Sequence, residues 1–354
     1  MSILGNAMMY GYSNARVKAM ESKLIKKEAM ESMIAVKSSD SAIGMLLQTD
    51  YKHDIEAYGN VGVAGNLLDF ALSKNLGREV SRLISITPKN DKKFINAIAG
   101  IWDISNLKFM IAALGANKKF EEIVQYVVDS KYINPPAIKE AMATGSVDGA
   151  INKLILSTPY KVILYAALSA YKRSGILGAG AAIDLAYYNW LGGVVAELQK
   201  SDRSVASLIK KDISIQNILM MLRAKELGMQ FGDIKGNMVP FGMLSIKEME
   251  SIYGSSKSVE ELASGISIFD LKYAISEYSK GRTGRRLLLF EIAMRAQIYA
   301  EAMRSIRHSV LSFGAIAAFF YLKDAEVLML RVLINGKRYG LNDEEIKGMI
   351  PWYR

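Results

Sequence analysis

The stretch Leu68-Asp69-Phe70-Ala71 has a near copy further along the chain, at Ile183-Asp184-Leu185-Ala186. The two copies continue in register, because Leu76-Gly77 matches Leu191-Gly192. In both copies an acidic residue lies among apolar residues that recur at the three- to four-residue spacing of a helix. A repeated helical unit is therefore the first hypothesis for the fold.

A second pattern, a hydroxyl residue two positions before an aromatic residue, occurs three times at a spacing of about 110 residues. The three pairs are Thr49 and Tyr51, Thr158 and Tyr160, and Ser267 and Phe269. A spacing that holds over three copies indicates three repeats rather than two.

Acidic residues complete the pattern in each proposed repeat. One set lies inside long helical stretches and consists of Asp69, Asp184 and Glu291. Another set, Asp103, Asp212 and Asp324, precedes an apolar helix, a turn and a short closing helix. The last two copies of this block match at a constant offset, with Gly228 over Gly340, Lys225 over Lys337 and Ile234 over Ile346, whereas the first needs a small deletion to align Ile123. We predict a triplication with helical repeats over residues 1–133, 134–240 and 241–354.

Composition predicts that these repeats are all-α. The chain has 354 residues, 51% of them hydrophobic and only six of them proline, which is too few for the many turns of a sandwich or barrel. Periodicity predicts single long helices over Asn14–Lys37 and Arg282–Ser312. Boundaries are expected near Asn134-Pro135-Pro136 and at Gly236–Gly242. Ala325–Ile334 is apolar nearly all round, which predicts a buried helix.

Catalytic residues are not predicted. The sequence has no cysteine and two histidines, which excludes disulfides, thiol catalysis and the usual zinc sites. No phosphate-binding loop of the Gly-x-x-x-x-Gly-Lys-Ser/Thr type occurs, and the glycines from Gly175 to Gly180 lack the dinucleotide-binding spacing. Neighbouring carboxylates, such as Glu344 and Glu345, lie at predicted helix starts, where they favour the helix dipole. We expect no catalytic, cofactor-binding or metal-binding residue.

The chain has a formal net charge of +10, which is informative about its binding partners and not about its fold. The densest basic cluster, Gly281-Arg282-Thr-Gly-Arg285-Arg286, predicts an exposed interface for an acidic partner or a membrane-facing ring, carried by Arg282, Arg285 and Arg286. A different class of function, a basic helical-repeat scaffold that binds nucleic acid, stays open. It would require a continuous basic stripe with stacking aromatic residues, whereas acids separate the basic residues here. A helical-repeat enzyme is the third alternative.

Three segments identify a resemblance to a known family. They are Tyr12-Ser-Asn-Ala-Arg-Val-Lys-Ala-Met20, Asp212-Ile-Ser-Ile-Gln-Asn-Ile-Leu219 and Glu326-Val-Leu-Met-Leu-Arg-Val-Leu-Ile-Asn-Gly-Lys337. They resemble the C subunit of archaeal and bacterial A/V-type ATPases, which is related to the d subunit of the eukaryotic vacuolar enzyme. Met329 departs from the family pattern, which more often has a polar residue such as Asn there.

The resemblance implies three similar helical domains in a funnel-like arrangement and no active site. It implies a rotor subunit of the central stalk, present once per complex, that couples the shaft of D and F subunits to the membrane proteolipid ring for proton or sodium transport. The expected location is peripheral, on the cytoplasmic face of the cell membrane. Charge-free stretches of about 15 residues, such as Ser309–Leu322, are shorter than the roughly 20 residues of a membrane span. Nucleic acid is not an expected partner of such a subunit.

Overall fold

A computed structural model describes residues 3–58, 67–280, 286–309 and 311–350. Every regular element in these residues is helical, so the predicted all-α class is confirmed. Contacts divide the chain into two compact units. Unit 1 contains Met1–Tyr187 and Glu326–Gly340, and unit 2 contains Tyr188–Ala325 and Leu341–Arg354.

Unit 1 is built from nine helices and parts of two longer ones. The nine are α1 (Ile3–Glu21), α2 (Lys27–Ala35), α3 (Ser39–Leu46), α4 (Lys52–Tyr58), α5 (Leu67–Ile86), α6 (Lys92–Gly115), α7 (Phe120–Ile123), α8 (Pro135–Met142) and α9 (Val147–Ser157). The longer ones, α10 (Lys161–Leu198) and α17 (Phe313–Arg338), also contribute residues to unit 2. The segment Glu326–Gly340 thus belongs to the same unit as the N-terminal helices.

Unit 2 contains seven further helices in its described residues. They are α11 (Arg203–Glu226), α12 (Phe231–Lys235), α13 (Ile246–Ser255), α14 (Val259–Ser264), α15 (Lys272–Ser279), α16 (Arg286–His308) and α18 (Asp343–Met349). The predicted burial of the apolar stretch in α17 is confirmed, because Leu330, Leu333 and Ile334 are fully buried.

The single helix predicted over Asn14–Lys37 is wrong. The chain forms α1 and α2 instead, with a break between Glu21 and Lys27. Within this break the backbone N–H of Ile25 donates to the Glu326 carboxylate at 2.5 Å, so it is not available for a helical hydrogen bond. A contact distant in sequence therefore interrupts a helix that local periodicity favours.

The long helix predicted over Arg282–Ser312 is shorter in the structure. Its described part is α16, and α17 begins at Phe313. Leu311 has a φ of 55°, a left-handed conformation that an α-helix does not accommodate. The left-handed residue between α16 and α17 is thus a leucine, so neither a glycine nor a proline signals this helix end in the sequence.

The starts of three short helices are capped in the same way. Ser38, Ser146 and Ser258 are the N-cap residues of α3, α9 and α14. Each hydroxyl accepts a hydrogen bond from the backbone N–H three residues later. One cap occurs in each predicted repeat, and each satisfies a donor that the helix itself leaves unpaired.

The ends of the long helices α6, α11 and α17 also match. Each is followed by a residue with positive φ, namely Asn117, Gly228 or Gly340. A short closing helix then begins, and the backbone N–H of its N-cap residue donates to the carboxylate of Glu122, Asp233 or Glu345. These caps and turns agree with the expected triplication, which stays a prediction together with the boundaries at 133 and 240 and the funnel-like arrangement.

Candidate functional site

The predicted partner interface lies largely outside the described residues. Arg282 and Arg285 fall in the segment 281–285, which the structure does not describe, and Arg286 is the first residue of α16. The assignment of these three arginines to an interface therefore stays a prediction.

The described residues contain no group of three or more histidine, cysteine, aspartate or glutamate residues that could hold a metal ion. A cavity of about 350 Å³ in unit 1 lies between α5, α6 and residues 128–132. Its carboxylate, Asp103, is already fully engaged: Oδ1 accepts from Ser130 and two backbone N–H groups, and Oδ2 accepts from Tyr160. The cavity thus offers no free acid or base at that position.

Buried polar contacts between distant segments are the main chemical feature of unit 1. The Tyr51 hydroxyl donates to the Glu326 carboxylate at 2.7 Å across 275 residues of sequence, and both side chains are buried. The pKa of Tyr51 is raised well above its usual value, first because burial disfavours the phenolate and then because Glu326 lies beside it. This contact joins α17 to the loop before α4.

A second contact repeats the same chemistry. The Tyr160 hydroxyl donates to Asp103 at 2.8 Å, and burial followed by the charge of Asp103 raises the pKa of Tyr160. Tyr160 is the copy of Tyr51 predicted from the sequence. A buried carboxylate is costly unless it is hydrogen-bonded, and these two acids are satisfied by neutral donors.

The third pair of equivalent positions, in unit 2, differs in both residues. Phe269 takes the place of the tyrosine, and the residue that corresponds to Asp103 and Glu326 is Ser214. Phe269 is buried, and the Ser214 hydroxyl donates to the Lys210 carbonyl and accepts from the Met243 N–H at 2.7 Å. The tyrosine hydroxyl and the carboxylate are thus replaced together, by a ring without a donor and by a short side chain without a charge.

The structure also corrects the alignment of the third sequence pattern. Asn106 and Asn217 make the same pair of bonds, each with the N–H and carbonyl of a valine 22 residues further along. This match places Asp103 over Ser214 and Glu326, instead of over Asp212 and Asp324. The same offsets align Ile123 with Ile234 and Ile346 without a deletion, and all three side chains are buried. Met329 then occupies the asparagine position in the third copy.

The acids predicted to recur in long helices all form ion pairs. Asp184 binds Lys108 at 2.8 Å, and Asp69 lies 3.5 Å from Arg331. Lys108 lies as far after Asp103 in the sequence as Arg331 lies after Glu326. The Asp184–Lys108 and Asp69–Arg331 ion pairs are therefore equivalent. Glu291 instead pairs with Arg295 on its own helix. At the position equivalent to Lys108 and Arg331, the middle repeat has Leu219, which cannot form an ion pair.

Two matched lysines satisfy helix ends. Lys225 donates to the carbonyls of Tyr253 and Ser256 at the end of α13. Lys337 donates to the carbonyls of Ile34 and Val36 at the end of α2. Positive charge at a helix C-terminus offsets the partial negative charge of unpaired carbonyls. The sequence aligned these lysines with each other but contained no signal for their acceptors.

One helical stretch, Lys89–Gly115, is long and apolar enough to cross a membrane by length and composition. In its most apolar window 61% of the residues are buried inside the protein, as expected for a core helix. The described part of the chain contains no second stretch of this kind.

These features define a class: an all-helical structural protein whose buried polar residues connect helices. The family described as ATP synthase (C/AC39) subunit matches residues 13–349, and the chain belongs to this family. It is 24% identical to the C subunit of the A-type ATP synthase of Methanosarcina barkeri, covering 96% of this chain and 92% of that one. The C subunit of the V-type ATP synthase of Deinococcus radiodurans is also 24% identical, over 96% of this chain and 90% of its own length. The protein is thus a subunit of an A/V-type ATP synthase, a membrane-associated complex.

Proposed function

We propose that the chain is the non-catalytic central-stalk subunit that couples the D and F shaft to the proteolipid ring for proton or sodium transport. The observation that carries this proposal is the family match over residues 13–349. The subunit would lie peripherally on the cytoplasmic face of the membrane, in one copy per complex. The same family match disfavours the nucleic-acid scaffold.

The buried contacts support a coupling role for a physical reason. A subunit that transmits torque must not shear internally, and hydrogen bonds to charged groups resist displacement because breaking one leaves a buried charge unsatisfied. Tyr51–Glu326 and Tyr160–Asp103 are contacts of this kind, at sequence separations of 275 and 57 residues. They fix helices that the chain itself connects only through long intervening segments.

The experiment that tests the proposal is reconstitution with and without this subunit. Complexes that contain it should couple ATP hydrolysis to ion uptake into vesicles, and a purified D and F pair should bind it. Complexes assembled without it should retain ATP hydrolysis by the soluble head and lose ion uptake. Full ion uptake in its absence, with the remaining subunits present, would contradict the proposal.

A further inference from the structure

One face of the first half of α10 is apolar, exposed and basic at its far end. Val162 is 79% exposed and Tyr165 is 58% exposed. Ser169 and Arg173 are also exposed. Spacings of three and four residues place these four side chains on one side of the helix. Because large apolar side chains are seldom left this open in a row, the face needs a partner.

Two exposed leucines flank this face in the sequence. Leu156, near the end of α9, is 85% exposed, and Leu177, beyond the interruption of α10, is 88% exposed. The interruption is at Gly175, whose φ of 64° and ψ of −155° suit glycine only. The Ile176 side chain lies against Gly115, where a Cβ would be 2.0 Å from its Cδ1. Leu177 therefore protrudes from a turn that is held in place by Ile176.

The charge around this face is positive. No acidic residue occurs between residues 149 and 183, whereas Lys153, Lys161, Lys172 and Arg173 all lie in this interval. Lys153 and Lys172 are 3.6 Å from Glu140 and Asp148 respectively. Within the described residues, neither Lys161 nor Arg173 is paired with a carboxylate. The α10 face, defined as Leu156, Lys161, Val162, Tyr165, Arg173 and Leu177, thus combines unpaired cations with protruding apolar groups.

We propose that the α10 face docks on an anionic lipid surface. Cations that are not paired with a carboxylate, such as Lys161 and Arg173, are attracted to the negative headgroups of a bilayer. Protruding leucine and valine side chains can enter the boundary between headgroups and acyl chains. Tyrosine suits this boundary because its ring is apolar and its hydroxyl is polar. A protein partner is less well matched, because leucine and valine, which supply three of the four apolar side chains here, are under-represented among protein hot spots. The proposal rests on membership of a membrane-associated complex and not on the coupling of shaft to ring.

Labelled single-cysteine variants localise the surface, because the natural chain has no cysteine. Val162→Cys and Leu177→Cys would each carry a polarity-sensitive fluorophore, and Leu227→Cys, 69% exposed in unit 2, is the control. Vesicles of phosphatidylcholine with phosphatidylglycerol should shift the emission at positions 162 and 177 to the blue. The control should not shift, and neither should any position with vesicles of phosphatidylcholine alone. No shift at 162 and 177, or an equal shift at 227, would overturn the proposal.

Charge reversal tests the electrostatic part. Lys161→Glu with Arg173→Glu should reduce co-sedimentation of the full chain with the anionic vesicles about tenfold or more, since each cation near such a surface contributes measurably to binding. Lys247→Glu with Lys257→Glu makes the same change of charge on exposed residues elsewhere and should have a much smaller effect. Circular dichroism should be the same for all variants.

The outcomes separate lipid from protein. If the reversed variant binds anionic vesicles as the natural chain does, the proposal is overturned. If it also fails to assemble with the other subunits, the face is a protein interface instead. Loss of coupling between hydrolysis and transport in a variant that still binds vesicles would concern the proposed function and leave the lipid contact intact.

Discussion

Among single residues, Tyr51 donates a buried hydrogen bond to Glu326 across 275 residues of sequence, and removal of its hydroxyl is a direct test of that bond. Tyr51→Phe leaves the ring in place and removes the donor to a buried carboxylate, which should lower the free energy of unfolding by about 1–3 kcal/mol. Urea denaturation measures this change. Tyr273→Phe, at an exposed tyrosine, should change stability by less than about 0.5 kcal/mol. Equal stabilities of Tyr51→Phe and the natural chain would show that the hydroxyl is dispensable.

Asp69 has a pH dependence whose sign follows from its environment. Burial raises its pKa above the usual 3.8, and Arg331 and Arg338 only partly oppose the shift. The folded state therefore holds the proton more tightly than the unfolded state, so this group's contribution to stability declines as the pH rises from 3.8 through the raised pKa. Asp69→Asn cannot titrate. We expect the free energy of unfolding of the natural chain, relative to this variant, to fall over that range and then level off.

The measurement is denaturation of both proteins over the acidic range and up to neutral pH. Parallel curves would mean that Asp69 titrates alike in both states. A relative gain for the natural chain with rising pH would mean that the ion pair with Arg331 outweighs burial and lowers the pKa instead.

At the scale of helices, the left-handed residues after α6, α11 and α17 test how the long helices end. Gly228 has a φ of 68° and no neighbouring atom within 4 Å of an added Cβ, so Gly228→Ala introduces backbone strain without a steric clash. The expected cost is about 1–2 kcal/mol in thermal or urea unfolding. Gly232→Ala is the matched control, because Gly232 lies in α12, has equal space and does not have a positive φ. It should be neutral or stabilising, and a similar loss in both variants would contradict the interpretation.

For the whole molecule, Leu330 connects packing to the proposed coupling. It is fully buried in α17, and Leu330→Asp would place an unpaired charge there at a cost of several kcal/mol. In an assembled complex we expect reduced ion transport per ATP hydrolysed, with normal hydrolysis by the separated soluble head. Leu227→Asp, at an exposed leucine, should leave coupling unchanged. Normal transport with the Leu330→Asp variant demonstrably incorporated would refute a rigid coupler.

Features that depend on a few neighbouring residues could be predicted from the sequence. Helical periodicity identified the class, and Glu344 and Glu345 lie in the first turn of α18 as predicted. Lys225 and Lys337, which the sequence aligned, make equivalent contacts with helix ends. The family resemblance was also available, because its segments are contiguous. Such signals are local, since caps and amphipathic faces are set within about one or two helical turns. The interface predicted at Arg282, Arg285 and Arg286 stays a prediction.

Only the tertiary structure decided which distant segments of the chain contact each other. Nothing near Ile25 indicates that its N–H turns to Glu326 and ends a helix, and nothing near Tyr51 indicates an acceptor 275 residues away. Asp103, Ser214 and Glu326 differ in chemistry, so sequence comparison favoured Asp212 and Asp324 as the matching acids. The sequence alone determined the all-α class, because helical periodicity depends on local spacing, and the triplication stays a prediction. Packing determined which buried groups meet, because a buried polar group needs a partner wherever in the chain that partner lies.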